Sequence, residues 1–492
     1  MNDTQDNQRL RIVIIGGGIS GLAAAHRLME QYARLENKPE VLLLEASPRV
    51  GGTISTRRRD DFLLEAGPDS FISEKPEAIE LVKRIGLDSR LIETNPAHRR
   101  SFIVRKGRLR AVPEGFQLLA PSRFWPFVTT GIFSWAGKAR MALDLVLPRS
   151  ARVEDSEDES LAQFVRRRLG REALERMAQP MVGGIYTADP ESLSLRATMP
   201  RFLEMEREHR SLIRAMWKQR RNLSAKESKS ASGARYSMFL SFNEGMQTLV
   251  DEVAARLNDV TLRLKTKVES LAFDEKTKRW SVGVGAQETI SADAVCLALP
   301  AYASAKLLRA TDAKLADELE AIPYASTATI NLAYKRSDIP HALDGFGFVV
   351  PFIERRSILA CTFSSVKFAG RAPEGHALLR AFVGGALQPE MFALDEEAMI
   401  EAAQRDLCQL LGITAPPLFA EVEKWPRSMA QYHLGHIERV GRIKKRLDAY
   451  PTLKLAGNAF NGAGIPDCIR SGETAADEIL ALDQSPVERQ ED

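Results

Sequence analysis

The sequence predicts an α/β chain in which a discontinuous dinucleotide-binding domain carries a mixed-sheet domain and a helical insertion. Three observations predict it. An apolar strand, Arg11-Ile-Val-Ile-Ile15, runs directly into Gly16-Gly17-Gly18-Ile19-Ser20-Gly21 and then into the helix-forming Leu22-Ala-Ala-Ala25. A second apolar strand, Val41-Leu-Leu-Leu-Glu45, ends in an acid at about the 20-residue spacing that grips a ribose hydroxyl. Strand character suited to the same sheet returns only at Ala294–Pro300 and Leu453–Gly457, so the opening unit is completed by distant segments.

Each element of the opening unit has a physical reason. In G-x-G-x-x-G, Gly16 permits a tight turn, Gly18 lets a phosphate approach the backbone, and Gly21 lets helix pack on strand. The helix start then faces a negative ligand. After Glu45 come Ala46 and Ser47, then Pro48-Arg49-Val50-Gly51-Gly52-Thr53. The second glycine pair allows another close backbone approach, and Arg49 can neutralise pyrophosphate charge.

The rest of the chain divides into segments: 1–90 (first part of the nucleotide domain), 91–235 (largely helical, contributing to a substrate cavity), 236–300 (second part), 301–424 (a sheet domain for substrate) and 425–492 (third part). Arg105–Arg220 reads mainly as helices, with apolar periodicity from Leu161 through Met177 and a loop at Gly183 and Gly184. The acidic run Glu154–Glu159 reads as a solvated linker, and Lys218–Arg235, poor in apolar residues, as a mobile loop. Strand-like stretches are Thr261–Phe273, Trp280–Val284, Thr327–Tyr334, Phe346–Pro351, Ile358–Phe363 and Ala377–Val383. Pro466–Leu482 reads as a terminal helix with proline in its first turn.

At 492 residues the chain exceeds one hydrophobic core. A net charge of +3 and 27% charged residues give no indication of nucleic acid. Cys296, Cys361, Cys408 and Cys468 lie far apart with no secretory leader, which predicts reduced thiols and a cytoplasmic location. No apolar run reaches the ~18 residues of a spanning helix. Phe124–Gly137 is read as a wall of an apolar cavity, with peripheral contact to the inner face of the cell membrane as the alternative. His433 and His436 have no acidic or cysteine cluster around them, so no metal is expected.

The combined glycine motifs, Glu45 and Arg-x-Gly-Gly resemble the flavoprotein superfamily that includes amine oxidases, phytoene desaturases and porphyrinogen oxidases, which implies a Rossmann-like domain and FAD. Nearly end to end, the chain closely resembles the oxygen-dependent porphyrinogen oxidases of late haem synthesis. The residues that carry this are Leu64-Glu-Ala-Gly-Pro-Asp-Ser-Phe71, Gly131–Arg140, Met181-Val-Gly-Gly-Ile-Tyr-Thr-Ala-Asp-Pro190, Trp425–His436 and Gly457–Gly472. Met429–His436 and Gly464–Ile469 look most like the soluble bacterial branch, many of whose members oxidise coproporphyrinogen III.

That resemblance implies removal of six electrons and six protons from coproporphyrinogen III or protoporphyrinogen IX, with oxygen reoxidising FAD to give hydrogen peroxide. It implies FAD contacts from Gly67, Pro68, Asp69, Ser70, Val268, Trp425, Gly464, Ile465 and Pro466, in addition to those of the glycine motifs. It places the Gly184 carbonyl at the reacting bridge, Val349, Thr362 and Phe382 in the cavity, and Lys75 and Arg100 near the substrate propionates. The expected partners are the porphyrinogen and oxygen, a chelatase for handover and a second copy of the chain as a homodimer. An amine oxidase is the enzymatic alternative, against which Asn458-Ala-Phe-Asn-Gly-Ala-Gly464 replaces the usual aromatic element. A non-catalytic, FAD-stabilised porphyrin carrier is the other.

Overall fold

The computed structural model describes residues 9–33, 38–114, 116–117, 120–149, 158–227, 238–285 and 287–484. The chain opens with β1 (Arg11–Ile15), α1 (Ile19–Tyr32) and β2 (Glu40–Leu44), followed by β3 (Phe62–Glu65). A hairpin of β4 (Phe102–Arg105) and β5 (Arg108–Ala111) precedes the helical region, in which α2 (Leu161–Arg168) and α3 (Gln179–Tyr186) flank a π-helical turn at Leu174–Ala178. Next come β6 (Val260–Arg263), β7 (Ala294–Leu297), β8 (Tyr324–Lys335), β9 (Gly347–Val349), β10 (Ala360–Phe363) and β11 (His376–Gly384). The chain ends with α4 (Glu396–Leu411), β12 (Phe419–Ala430), β13 (Leu453–Leu455) and α5 (Ile465–Gln484).

Two sheets organise these elements. The five-stranded sheet has the order β6-β2-β1-β7-β13 with every pairing parallel, so it is assembled from both ends and the middle of the chain. Its strands are apolar because both faces are covered, one by helices including α1 and α5 and the other by a three-stranded antiparallel sheet with further helices. Ile12, Val13, Ile14, Leu43, Val295 and Leu297 are fully buried. α5 crosses the first turn of α1 closely: a Cβ on Gly472 would lie 2.1 Å from the Ser20 carbonyl oxygen. The seven-stranded sheet has the order β12-β8-β11-β10-β9-β4-β5. One of its faces (Ala328, Ile330, Leu332, Leu379, Ala381, Val383, Cys361, Phe363) packs with Met399, Ala403 and Leu407 of α4 in one core.

Several elements differ from the sequence reading, each for a local reason. Thr261–Phe273 is two strands: Lys265 turns with φ of 53°, and Val268–Asp274 joins a separate antiparallel sheet. Within the segment expected to be mainly helical, β4 and β5 form a hairpin whose turn residues, Lys106 and Gly107, both have positive φ, as a two-residue turn requires. The expected segment boundary at 424/425 falls inside β12. The helix Leu212–Glu227 runs well into the expected loop Lys218–Arg235, and residues 228–237 lie outside the described residues.

Of the acidic run, residues 154–157 are also outside the described residues, while Glu159 grips Arg167 and Asp158 accepts from Ser194 and the Gly435 amide. In Phe124–Gly137, Phe127, Ile132 and Phe133 are buried as a wall would require, whereas Trp125 is 72% exposed and Trp135 73%.

The helical region is held by a buried ion pair. Arg168 and Asp144 are both fully buried, with Nε to Oδ1 at 2.7 Å, and Arg168 also donates to the carbonyls of Pro148 and Arg210. Removing one partner leaves an uncompensated buried charge, so Arg168→Met should cost about 3–5 kcal/mol in a urea titration. Arg168→Met combined with Asp144→Leu should recover most of that loss, and an unchanged midpoint in the single variant would contradict this role.

Candidate active site

The N-terminal glycines are shaped by contact. A Cβ on Gly16, whose φ is 110°, would lie 2.4 Å from the Ala298 carbonyl oxygen, and one on Gly21 would lie 1.9 Å from that of Gly16. Gly18 is different: nothing lies within 4 Å of its built Cβ, which leaves open space above the helix start. Ile19 and Ser20 are buried in that first turn.

Glu45 Oε2 accepts the Gly17 amide at 2.6 Å and Oε1 the Ser47 amide at 2.7 Å. The carboxylate therefore sets the loop, and each oxygen keeps a lone pair for a ribose hydroxyl. Ala46 is exposed beside it. Val268 lies just beyond Lys265 and Thr266, whose amides bond the carbonyls of Ser47 and Glu45, so it belongs to the same neighbourhood.

The second glycine turn docks on the first through the Gly51 amide and the Gly17 carbonyl, 2.8 Å apart. Arg49, expected at a pyrophosphate, spends its guanidinium on the turn itself: Nη1 donates to the carbonyls of Val50 and Ile54, and Nη2 to that of Gly52. The built Cβ of Gly52 meets only the Gly18 Cα, at 3.6 Å. Gly18 and Gly52 thus flank one open track, and the next residue, Thr53, touches Gly67 so closely that a Cβ there would sit 1.7 Å from the Thr53 oxygen. These glycines form a cradle that side chains would fill, and a dinucleotide fits it.

At Gly67 the track meets the seven-stranded sheet. Thr329 donates to the Ala66 carbonyl at 2.8 Å, Trp425 Nε1 to the same oxygen at 2.9 Å, Asn331 Nδ2 to that of Glu65 at 3.2 Å, and Arg380 to that of Gly67. Asp69 is clamped by Lys367 Nζ at 2.9 Å from both oxygens, with Ser70 donating to it. Against the effect of burial, Lys367 and Arg380 hold its carboxyl well below the usual range. Pro68, half-buried, lies between the two ties. Thr329, Asn331, Arg380 and Lys367 were not found by sequence reasoning, since a threonine or arginine inside an apolar strand carries no spacing signal.

Strand register places the proposed cavity residues together. Thr329, Phe382, Ala360, Val349 and Ile103 are directly paired across β8-β11-β10-β9-β4, so their side chains share one face, opposite the face covered by α4. Arg380, Thr362 and Gly347 form the next row on that face. Val349, Thr362 and Phe382 are only half-buried, consistent with open space before them. α3 lies over β9, and a Cβ on the exposed Gly184 would be 3.7 Å from Val349 Cγ1.

The two expected propionate anchors are each paired with a carboxylate. Lys75 Nζ is 2.6 Å from both carboxylate oxygens of Asp467, which is 3% exposed in the first turn of α5. Arg100 pairs with Asp344 at 2.9 Å, and its Cγ shares with Phe102 the side of the sheet away from Val349. Arg105, missed by the sequence reading, is on the cavity side, two residues beyond Ile103. Its side chain has no hydrogen bond or ion pair among the described residues, and burial with Arg176 and Arg110 nearby lowers its pKa against the opposing effect of Glu172 and Glu354.

The C-terminal glycine segment closes the track. The Tyr432 hydroxyl donates to the Asn458 carbonyl at 2.7 Å and accepts from the Gly462 amide at 2.8 Å, and its ring stacks on His436 at 4.1 Å. Gly464 donates to Asp467, with Ile465 and Pro466 opening α5. Burial pushes His436 down to about 4 and Tyr186 up to about 12, so both are neutral near pH 7. Among the described residues no group of His, Cys, Asp and Glu is placed to hold a metal ion.

Comparison with known proteins gives this geometry a family. A family model described as flavin containing amine oxidoreductase matches residues 19–480. The coproporphyrinogen III oxidase of Bacillus subtilis (strain 168) is 37% identical over 471 residues, covering 95% of this chain and 97% of the relative. That of Propionibacterium freudenreichii subsp. freudenreichii is 36% identical, covering 96% and 92%. A crystal structure from Exiguobacterium sp. 255-15 superposes with a TM-score of 0.85 at 30% identity, over 97% of this chain and 100% of that one.

Because Glu45 both sets the glycine loop and offers the ribose acceptors, Glu45→Ala should raise the FAD dissociation constant about tenfold to a hundredfold, equivalent to about 1–3 kcal/mol. An unchanged constant in a flavin titration of the apoprotein would remove Glu45 from the site.

Proposed function

The chain belongs to the flavin-containing amine oxidoreductase family, and from that premise we propose that it is an FAD-dependent porphyrinogen oxidase of haem biosynthesis whose preferred substrate is coproporphyrinogen III. The observation that carries this reading is the near-complete coverage of bacterial coproporphyrinogen III oxidases at 36–37% identity. The chloroplastic protoporphyrinogen oxidase of Nicotiana tabacum stands further off, at 29%.

The site suits the chemistry. A porphyrinogen carries sp³ bridging carbons flanked by electron-rich pyrroles, so loss of hydride is favoured by the aromatisation that follows. FAD, when bound, supplies the two-electron acceptor and passes the electrons to oxygen, giving hydrogen peroxide. The chain's own task is to bind, orient and exclude water. Val349, Ala360, Ile103 and Phe382 make one wall of an apolar slot, and Gly184 opposite Val349 has no side chain to narrow it. We assign the Gly184 backbone to the reacting bridge, and Val349, Thr362 and Phe382 to the tetrapyrrole faces. Burial disfavours the protonated form of His436 and keeps Tyr186 a neutral phenol, so we assign the released protons to solvent.

The propionates remain ionised and require a cation. We assign one to Arg105. Adjacent strands lie about 4.8 Å apart, so β4 is about 14 Å from the Phe382 strand, a distance spanned by a tetrapyrrole and its side chains. Arg105→Ala should therefore raise KM for coproporphyrinogen III about tenfold to a hundredfold with a smaller change in kcat. Equal KM values for variant and wild type would move the anchor elsewhere.

Under air, purified holoenzyme supplied separately with coproporphyrinogen III and protoporphyrinogen IX should give porphyrin fluorescence with peroxide in both cases, with the larger kcat/KM for the first. Turnover should be indifferent to chelators and to NAD. Activity that survives removal of FAD, or a larger kcat/KM for protoporphyrinogen IX, would contradict the reaction or the preference respectively.

A further inference from the structure

We propose that Arg380 is the buried cation that stabilises the negative charge developing on the flavin during turnover; this rests on the assignment of FAD to the open track. Arg380 is 3% exposed and lies on the cavity face of β11, one row from Phe382, over whose ring its guanidinium sits at 4.8 Å. Its Nη2 donates to the Gly67 carbonyl, where the track meets the sheet.

Two buried polar atoms here have no hydrogen-bond partner: Arg380 Nε and Oδ1 of Asn331, its direct neighbour on β8. Buried groups are ordinarily satisfied, so a donor and an acceptor left open side by side mark a place for a polar ligand edge.

The charges around Gly67 do not balance. Among the described residues Lys367, Arg371 and Arg380 face two carboxylates, Asp69 and Glu65, and Lys367 already holds Asp69. Burial raises the Glu65 pKa against the donors Thr56 and Met246 and the nearby Arg371.

The other source of positive potential, the N-terminus of α5, is already engaged. Asp467 sits in its first turn, accepts from the Gly464 amide and holds Lys75 and Arg470. Hydride transfer from a bridging carbon adds two electrons and one proton to the acceptor, while the substrate cation loses its proton to solvent. One negative charge must then be accommodated, and a cation fixed in low dielectric does so without reorganising.

The test measures the flavin itself. Sulfite adds covalently to oxidised flavin and leaves the ring anionic, so its affinity reads the same charge as the reduction potential. In Arg380→Met holoenzyme, with flavin content confirmed by visible absorbance, sulfite should bind at least about tenfold more weakly. The midpoint potential should fall by at least about 30 mV, the tenfold equivalent for a two-electron couple. Arg380→Lys should stay closer to wild type than Arg380→Met in both measures. Asp69→Asn removes a countercharge and should raise the potential.

Unchanged potential and sulfite affinity in flavin-loaded Arg380→Met overturn the proposal, as does an equal loss in the lysine variant. If Arg380→Met does not fold, an unchanged or lower potential in Asp69→Asn overturns it. Wild-type protein that takes up no flavin overturns the cofactor assignment instead.

Discussion

Thr329, Asn331, Arg380 and Trp425, from three strands of the seven-stranded sheet, take up the carbonyls of Glu65, Ala66 and Gly67, and the relation of the two halves of the site depends on that contact. The glycine loops belong to the parallel sheet, and the apolar slot to the other. Hydride transfer tolerates little error in distance between acceptor and donor, so the two sheets must be fixed relative to one another. Hydrogen bonds between buried groups achieve this better than apolar packing does, because a buried carbonyl left unpaired costs about 1–3 kcal/mol. A slip of one residue in β8 would turn Thr329 and Asn331 away from the carbonyls and replace them with Ala328 and Ile330.

The same contact explains why polar residues occupy an otherwise apolar sheet. β8 and β11 each present one face to α4, aliphatic apart from Tyr334, and one to the track, which carries Thr329, Asn331, Arg380 and Phe382. The track face holds structure and function together: Arg380 braces Gly67 and brings a buried positive charge to it. The cavity row beside it is apolar, which suits a tetrapyrrole body, while Arg105 lies towards the outer edge of the sheet.

Much of the first half-site was legible in the sequence because its signals are local. Four apolar residues, Ile12–Ile15, run straight into Gly16 and read as a covered strand, and Glu45 follows at the expected distance. β12 was not legible. Its residues alternate poorly because Glu421 and Glu423 pair with Arg59 and Arg57 of a distant hairpin, and Pro426 argues against a strand except at an edge, which is where β12 lies. The return strand β5 was hidden by Lys106-Gly107, a less familiar pair than Asn-Gly for a turn with two positive φ angles. Charge partners were the least legible. Lys75 and Arg100 read as propionate anchors, and nothing in the sequence pointed to Asp467 and Asp344 as their partners, across 392 residues of chain in the first case.

The most direct test of the account is anaerobic rapid mixing of the holoenzyme with coproporphyrinogen III, following flavin and porphyrin absorbance together. The account predicts that the flavin bleaches in step with oxidation of the tetrapyrrole and recovers when oxygen is admitted. Tight binding of the porphyrinogen with the flavin remaining oxidised would contradict it and make the chain a carrier.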